Sequence, residues 1–139
     1  MHELNIEATV ALFFEAWNRG DIEALLPMFA PNAIDHNSET GEAGSASMME
    51  SIKALRNAFP DLQYTVHEIA IDAKRQISIT NVTCEGTHER QYLDVPPLGR
   101  RICWREMRMG RWREGRVVEH WTVSEVYGVL CEQQRSTSR

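Results

Sequence analysis

The stretch GTHERQYLDVPPLGRRICWREMRMGRWREGRVVEHWTVSEVYGVL, Gly86 to Leu130, decides the fold. It opens on Gly86-Thr87-His88 and passes through Val95-Pro96-Pro97-Leu98-Gly99-Arg100. It then reaches Glu119-His120-Trp121, with Glu125 four residues past the Trp. Apolar residues alternate with His, Trp and charged residues, and Pro-Pro-Leu-Gly and Glu114-Gly115 separate the runs. That period belongs to antiparallel strands with one face toward a core. Imidazoles and a carboxylate in the strand half predict a sheet whose concave face is a polar-bottomed pocket.

The period of two extends back to Leu62. Leu62, Tyr64 and Val66 alternate, and the pattern then jumps to Ile69 and Ile71, which predicts a bulge. Asp72 to Arg75 turns the chain into a second strand around Gln76 to Glu85. A third strand is expected from about Arg101 to Trp112, with a tight hairpin at Glu114-Gly115 into a fourth from Arg116 to about Val123.

Before Leu62 the period is helical. Ile6, Val10, Phe13, Phe14 and Trp17 mark a helix from about Leu4 to Arg19, ended by Gly20. Asp21 is an N-cap for a second helix, Ile22–Phe29, which Pro27 shortens or distorts. A brief extended run, Ala33 to Asn37, and a polar loop, Ser38 to Ala46, follow. Ser47 with Glu50 forms a capping-box pattern ahead of a third helix, Met48–Phe59. The tail from Gln134 to Arg139 is expected to fray. Helices first and strands second predict an α+β cone: three N-terminal helices packed on a strongly curved antiparallel sheet, residues 1–139 forming one domain.

With 42% apolar and 25% charged residues, a chain of 139 residues can bury one core without staples. Cys84, Cys103 and Cys131 are odd in number and lack Cys-x-x-Cys spacing, so they read as buried small residues in a reduced setting. No run approaches a membrane span and no signal core follows Met1, so a cytoplasmic protein without membrane contact is expected. A net charge of −5 argues against nucleic acid as a partner. The seven arginines between Arg100 and Arg116 read as solvated strand faces or, alternatively, as an anion or partner site that includes Arg111.

Several fragments in order resemble the SnoaL-like polyketide cyclases (ester cyclases) of the nuclear-transport-factor-2-like superfamily. They are Trp17-Asn18-Arg19-Gly20-Asp21, Phe59-Pro60-Asp61, Gly86-Thr87-His88 leading to Pro96-Pro97-Leu98-Gly99-Arg100, and Glu119-His120-Trp121 followed by Glu125. The resemblance spans about residues 5 to 131. It implies cofactor-independent ring closure of a small apolar carbonyl compound by an intramolecular aldol step, or a related isomerisation. Glu125 stands where the family has its acid/base Asp. Asp94, Leu98 and Arg90 replace a usual Gly, Thr and Gly.

Such a reaction needs a base beside a carbonyl, donors for the enolate and an acid for the new alkoxide. The resemblance assigns the proton transfers to Glu125, with Trp121 on the same strand face. His88 reads either as an enolate donor or as a histidine fixing the Pro-Pro loop, and His36 as a donor at the pocket mouth. Trp17 is expected in the core beside the pocket. His120 alternates with Glu119 and Trp121, so only one of the two sets faces inward, and His120 is read as outward more readily than inward. Asp61 is read as a turn residue accepting backbone hydrogen bonds. The histidines lack metal-ligand spacing, so neither metal nor cofactor is expected. The competing readings are a hydrolase or isomerase for another apolar molecule, and a non-catalytic ligand-binding or dimerisation module. An enclosed Glu125 favours the enzyme and an exposed one the module. A homodimer through the sheet is also expected, with Trp104 and Trp112 offered as its apolar patch.

Overall fold

The computed structural model describes residues 5–36 and 45–137. Helix α1, Ile6–Arg19, buries Ile6, Val10, Phe14 and Trp17; Asn5 caps its start, and Gly20, at φ 73°, ends it in the left-handed conformation. The expected second helix is instead two 3-10 turns, Ile22–Ala24 and Leu26–Met28. Asp21 caps the first as expected, and Pro27 lies in the second, where its missing donor prevents a continuous α-helix. Strand β1, Phe29–Asp35, follows directly. Helix α2, Ser45–Ala58, begins before Ser47, so that residue lies inside the helix and is not its cap. The expected loop residues 38–44, and Asn37 of the extended run, lie outside the described residues.

The strands are β2, Gln63–Asp72; β3, Ile77–Thr87; β4, Arg101–Arg113; and β5, Arg116–Ser124. They form one curved, unclosed sheet in the order β1-β5-β4-β3-β2. The anticipated bulge falls between Val66 and Glu68, and Glu114 and Gly115, at φ 51° and 80°, make the hairpin turn. One pairing departs from the all-antiparallel expectation: β1 runs parallel to β5. A second addition is helix α3, Val126–Thr137, which packs on β4 and includes Gln134–Thr137 of the tail read as frayed. Among the described residues no helix is long and apolar enough to cross a membrane.

The core is centred on Phe59, Leu62, Val82, Trp104 and Leu130, all fully or nearly fully buried. Gly86 is needed there, because a Cβ would stand 3.1 Å from Phe59 Cβ and 3.3 Å from Leu62 Cα. Asp61 accepts from the Thr87 N–H at 2.7 Å and from Thr87 Oγ1 at 2.8 Å, the turn role read for it. The last turn of α1 is fastened to the sheet by Asn18, whose Nδ2 donates to the Tyr64 carbonyl while its Oδ1 accepts from the Tyr64 N–H. Arg56 Nη1 donates to the Trp17 and Leu62 carbonyls. These bonds hold Trp17 over the concave face of the sheet. Trp104 and Trp112 are both buried, so neither belongs to an exposed patch: the even-numbered residues of β4 face the core.

Candidate functional site

The inward face of β4 places Trp104, Glu106 and Arg108 in line. Glu106 is buried, and its Oε2 accepts from Trp104 Nε1 at 2.8 Å and from Ser124 Oγ at 3.0 Å. Its Oε1 accepts from Arg108 Nε at 3.1 Å and Nη2 at 2.9 Å. Burial works to raise the Glu106 carboxyl, but the guanidinium and the Trp104 and Ser124 donors outweigh it and hold it below the usual range. Arg108 Nη2 also donates to the Tyr64 hydroxyl at 3.0 Å, and the guanidinium lies over the rings of Trp17 and Tyr64 at 5.4 and 5.3 Å. Burial alone would lower the Arg108 pKa; Tyr64 and Glu106 reverse this, so the cation is firmly charged.

The next strand contributes His120. It is paired with Gly110 on β4 and Asp35 on β1, so its ring shares the inner face with Arg108. His120 Nδ1 stands 3.9 Å from Asp35 Oδ1, an electrostatic contact longer than a hydrogen bond. Burial pushes the imidazole pKa down, and the Asp35 carboxylate opposes this only in part. The ring is therefore neutral at pH 7 and available as a base.

These groups face a cavity of about 330 Å³. Its helix side presents Phe13, Trp17, Ile52 and Leu55 with the polar Ser51 among them, and its sheet side presents Glu106, Arg108, His120 and Thr122. Tyr92 from the loop after β3 and Val126 from α3 complete the wall. A smaller apolar recess of about 40 Å³, shared by Phe13, Phe29, Arg108 and His120, opens toward Trp112. The Trp17 Nε1–H is buried without a hydrogen-bond partner among the described residues. The arrangement can hold a planar apolar compound by one face and an oxygen-bearing edge by the other.

Of the residues singled out in the sequence, Trp17 and His120 line this cavity, His120 against the outward reading. Glu125 does not. β5 ends at Ser124, the Glu125 N–H donates to the Arg105 carbonyl, and the chain turns into α3. Its side chain is 54% exposed and lies 3.7 Å from Arg105 in a surface ion pair. The expected enclosed carboxylate beside Trp121 is thus replaced by an outward one. Trp121, His36 and Arg111 do come together, but on the outer face. The His36 ring stacks on Trp121 at 4.4 Å and 7°, and Glu119 Oε2 accepts from His36 Nε2 at 2.9 Å while Oε1 pairs with Arg111 at 3.5 Å.

His88 takes the loop-fixing alternative. Its ring stacks on Phe59 at 5.1 Å, its Nδ1 accepts from the Leu98 N–H at 3.2 Å, and its backbone N–H donates to the Arg100 carbonyl. Of the arginine run, Arg101, Arg105, Arg108 and Arg111 each pair with a carboxylate. Cys84 is buried, and burial pushes its thiol well up, which removes it as a nucleophile. Cys103 is exposed, contrary to the reading of all three as buried. Among the described residues no three His, Cys, Asp or Glu side chains gather as metal ligands would.

Sequence reasoning missed Asp35, Glu106, Arg108, Thr122 and Ser124 as cavity groups. The signal for Glu106 and Arg108 was present. They share the parity of Trp104 and Trp112, and two tryptophans on one strand face mark the core side. Asp35 had no such marker, since it belongs to the site only through the parallel pairing of β1 with β5.

A comparison with curated protein sequences finds no match. Among solved structures, the chain is similar to AclR of Streptomyces galilaeus, described as a candidate hydroxylase (29% identity, TM-score 0.80, 93% of this chain and 95% of that one). It is also similar to IdmH of Streptomyces antibioticus, described as a candidate polyketide cyclase (30% identity, TM-score 0.75, 92% and 97%). TsrD of Streptomyces laurentii, 21% identical over 92% and 98% at a TM-score of 0.80, shares the fold. The family model described as SnoaL-like polyketide cyclase matches residues 8–133. The cone, the cavity and this match over nearly the whole chain agree: the chain belongs to the SnoaL-like polyketide cyclase family, with the nuclear-transport-factor-2-like fold.

Proposed function

We propose that this chain is an enzyme that moves protons beside a carbonyl group without a cofactor, in an intramolecular aldol cyclisation or a related isomerisation of a small carbonyl compound. The observation that carries the reading is the half-buried His120, 3.9 Å from Asp35, on the same cavity as the charged Arg108, with burial pushing its imidazole toward the neutral form. His120 takes the proton from the carbon beside the carbonyl, and Arg108 Nη1 donates to the enolate oxygen that forms. The enolate carbon attacks a second carbonyl of the same molecule, and the imidazolium returns its proton to the new alkoxide. Asp35 favours the imidazolium in the intermediate step.

The test is a thermal-shift screen with aromatic and alicyclic ketones, since a ligand stabilises the fold by RT ln(1 + [L]/Kd). Each compound that binds is then followed in D₂O for deuterium uptake beside its carbonyl. Catalysed uptake supports the proposal; binding without uptake in every case points to the non-catalytic ligand-binding module. The exposure of Glu125 is the one observation favouring that second reading, because it removes the carboxylate to which the family resemblance assigns the proton transfers.

We further propose a homodimer through the outer face of the sheet. Ile79, Met109 and Trp121 lie side by side across three strands, with Met107 and Val123 in the next row. The ion pairs Arg105–Glu125 and Arg111–Glu119 flank these rows as neutral rims, so two copies approach without charge repulsion. Val123→Lys should convert the dimer to a monomer in light scattering, and a monomeric wild type at micromolar concentration refutes the pairing.

A further inference from the structure

The proton-transfer steps do not use Glu106, yet its carboxylate accepts from three side chains and lies beneath the cation that those steps need. We propose that Glu106 is a positioning residue: it fixes the Arg108 guanidinium so that Nη1 is left for the substrate oxygen, and through Ser124 it fixes the start of α3. This rests on the assignment of Arg108 as the enolate donor.

The geometry is specific. Nε and Nη2 of Arg108 are both spent on Glu106 Oε1, and Nη2 also reaches the Tyr64 hydroxyl. Nη1 has no hydrogen-bond partner among the described residues, while the side chain lines the cavity. The flat rings of Trp17 and Tyr64 guide the guanidinium plane, and Glu106 sets its rotation within that plane. On the other oxygen, Ser124 Oγ donates to Glu106 and accepts from the Val126 N–H at 3.2 Å. Val126 is a cavity wall residue and the first of α3. One carboxylate therefore sets both the cation and the part of the wall that α3 supplies. A glutamine would turn either a neutral oxygen or a second donor toward Arg108, and the fork would lose its fixed acceptor.

The probe is 2-naphthol, whose phenolate carries its charge as an enolate does. Its ionisation when bound to the full chain is followed by ultraviolet absorbance against pH, and the Arg108 Nε–H resonance is followed by NMR. Wild type should bind the phenolate in preference to the neutral form. Glu106→Gln should reduce that preference by about tenfold, the scale of one hydrogen bond to a charged group. It should weaken neutral naphthol less than the phenolate, since Phe13, Trp17, Ile52 and Leu55 do not touch Glu106 through a hydrogen bond, and it should broaden or remove the Nε–H resonance. A Glu106→Gln chain that keeps both the preference and the resonance overturns the positioning role. If Glu106→Gln does not fold, Glu106→Asp is read in its place. It retains the charge but cannot span Arg108 and Ser124 together, and an undiminished preference in that variant overturns the proposal equally. If wild type itself shows no preference for phenolate, the Arg108 assignment fails. The resonance alone then decides whether Glu106 fixes the guanidinium.

Discussion

Neighbouring residues of β5 face opposite ways. His120, Thr122 and Ser124 look into the cone, where they meet Asp35, Arg108 and Glu106; Glu119, Trp121 and Val123 look out, where they meet Arg111, His36 and Met107. Both faces carry aromatic rings, carboxylates and arginines. They differ in solvent: Glu106 is 3% exposed and hydrogen-bonded on both oxygens, whereas Glu125 is largely exposed beside an arginine that is more so. Inside, a charge must be paired and its partners fixed, so pairing shapes the site. Outside, water screens the same pairing and leaves it worth little. Chemistry follows the face, not the residue type.

The largest expected effect of this difference is on turnover. His120→Gln keeps the ring position polar but cannot take a proton, and it should slow deuterium uptake by about a hundred- to ten-thousand-fold, the range general acid–base catalysis supplies. Glu125→Gln on the outer side should leave the rate within about threefold. Equal losses in the two variants, measured at saturating ligand, break the contrast and return the proton transfer to Glu125.

Stability gives the second test. Glu106→Ala leaves the Arg108 charge buried without its partner and should cost about 3–5 kcal/mol in urea unfolding. Glu119→Ala breaks the contacts with His36 and Arg111 on the exposed face and should cost at most about 1 kcal/mol. A loss below about 1 kcal/mol for Glu106→Ala would mean that water reaches Arg108 freely.

The reversal of faces explains what the sequence disclosed and what it hid. The bulge in β2 is legible because Tyr64 and Val66 stand on one side of it and Ile69 and Ile71 on the other, so the apolar parity visibly changes. β5 has an equivalent irregularity. Val117 pairs with Trp112 and faces the core, but Glu119 then pairs with Arg111, and Val118 is the extra residue. Counting by twos from Val117 sends Glu119 and Trp121 inward; the bulge sends His120 inward instead. No buried apolar residue marks the shift, because the inward residues beyond it, His120, Thr122 and Ser124, are polar and the one aliphatic residue, Val123, faces outward. One unseen residue therefore moves Trp121 and its neighbours to the other side of the sheet. Helix α1, the hairpin at Glu114-Gly115 and the Gly20 cap were readable because each depends on local spacing or on a left-handed turn. The parallel β1–β5 pairing and helix α3 depend on contacts between distant segments, which local periodicity does not carry.

The smallest expected effect is on pH dependence, and it separates interior from surface once more. Burial lowers the pKa of both His88 and His120 from the ordinary 6.5. Above pH 6.5 both rings are neutral folded or unfolded, so neither contributes a slope. As pH falls below 6.5 the unfolded chain takes up protons first, and stability is lost until the pH passes the lowered folded values. The loss cannot exceed about 1.4 kcal/mol per pH unit for each histidine. Glu106 and Asp61, whose carboxyls are held low in the folded state, add their own loss only at more acid pH, as they fall through their folded values. Urea unfolding at intervals from pH 7.5 to 5 should therefore show a decline that begins near 6.5 and precedes the acid limb. His120→Gln should flatten part of that decline, whatever its cost at pH 7.5, because a glutamine does not titrate. An unchanged slope in His120→Gln would mean that its imidazole is as free to take a proton in the cone as in the unfolded chain, and the inner face would lose its claim to a distinct solvent.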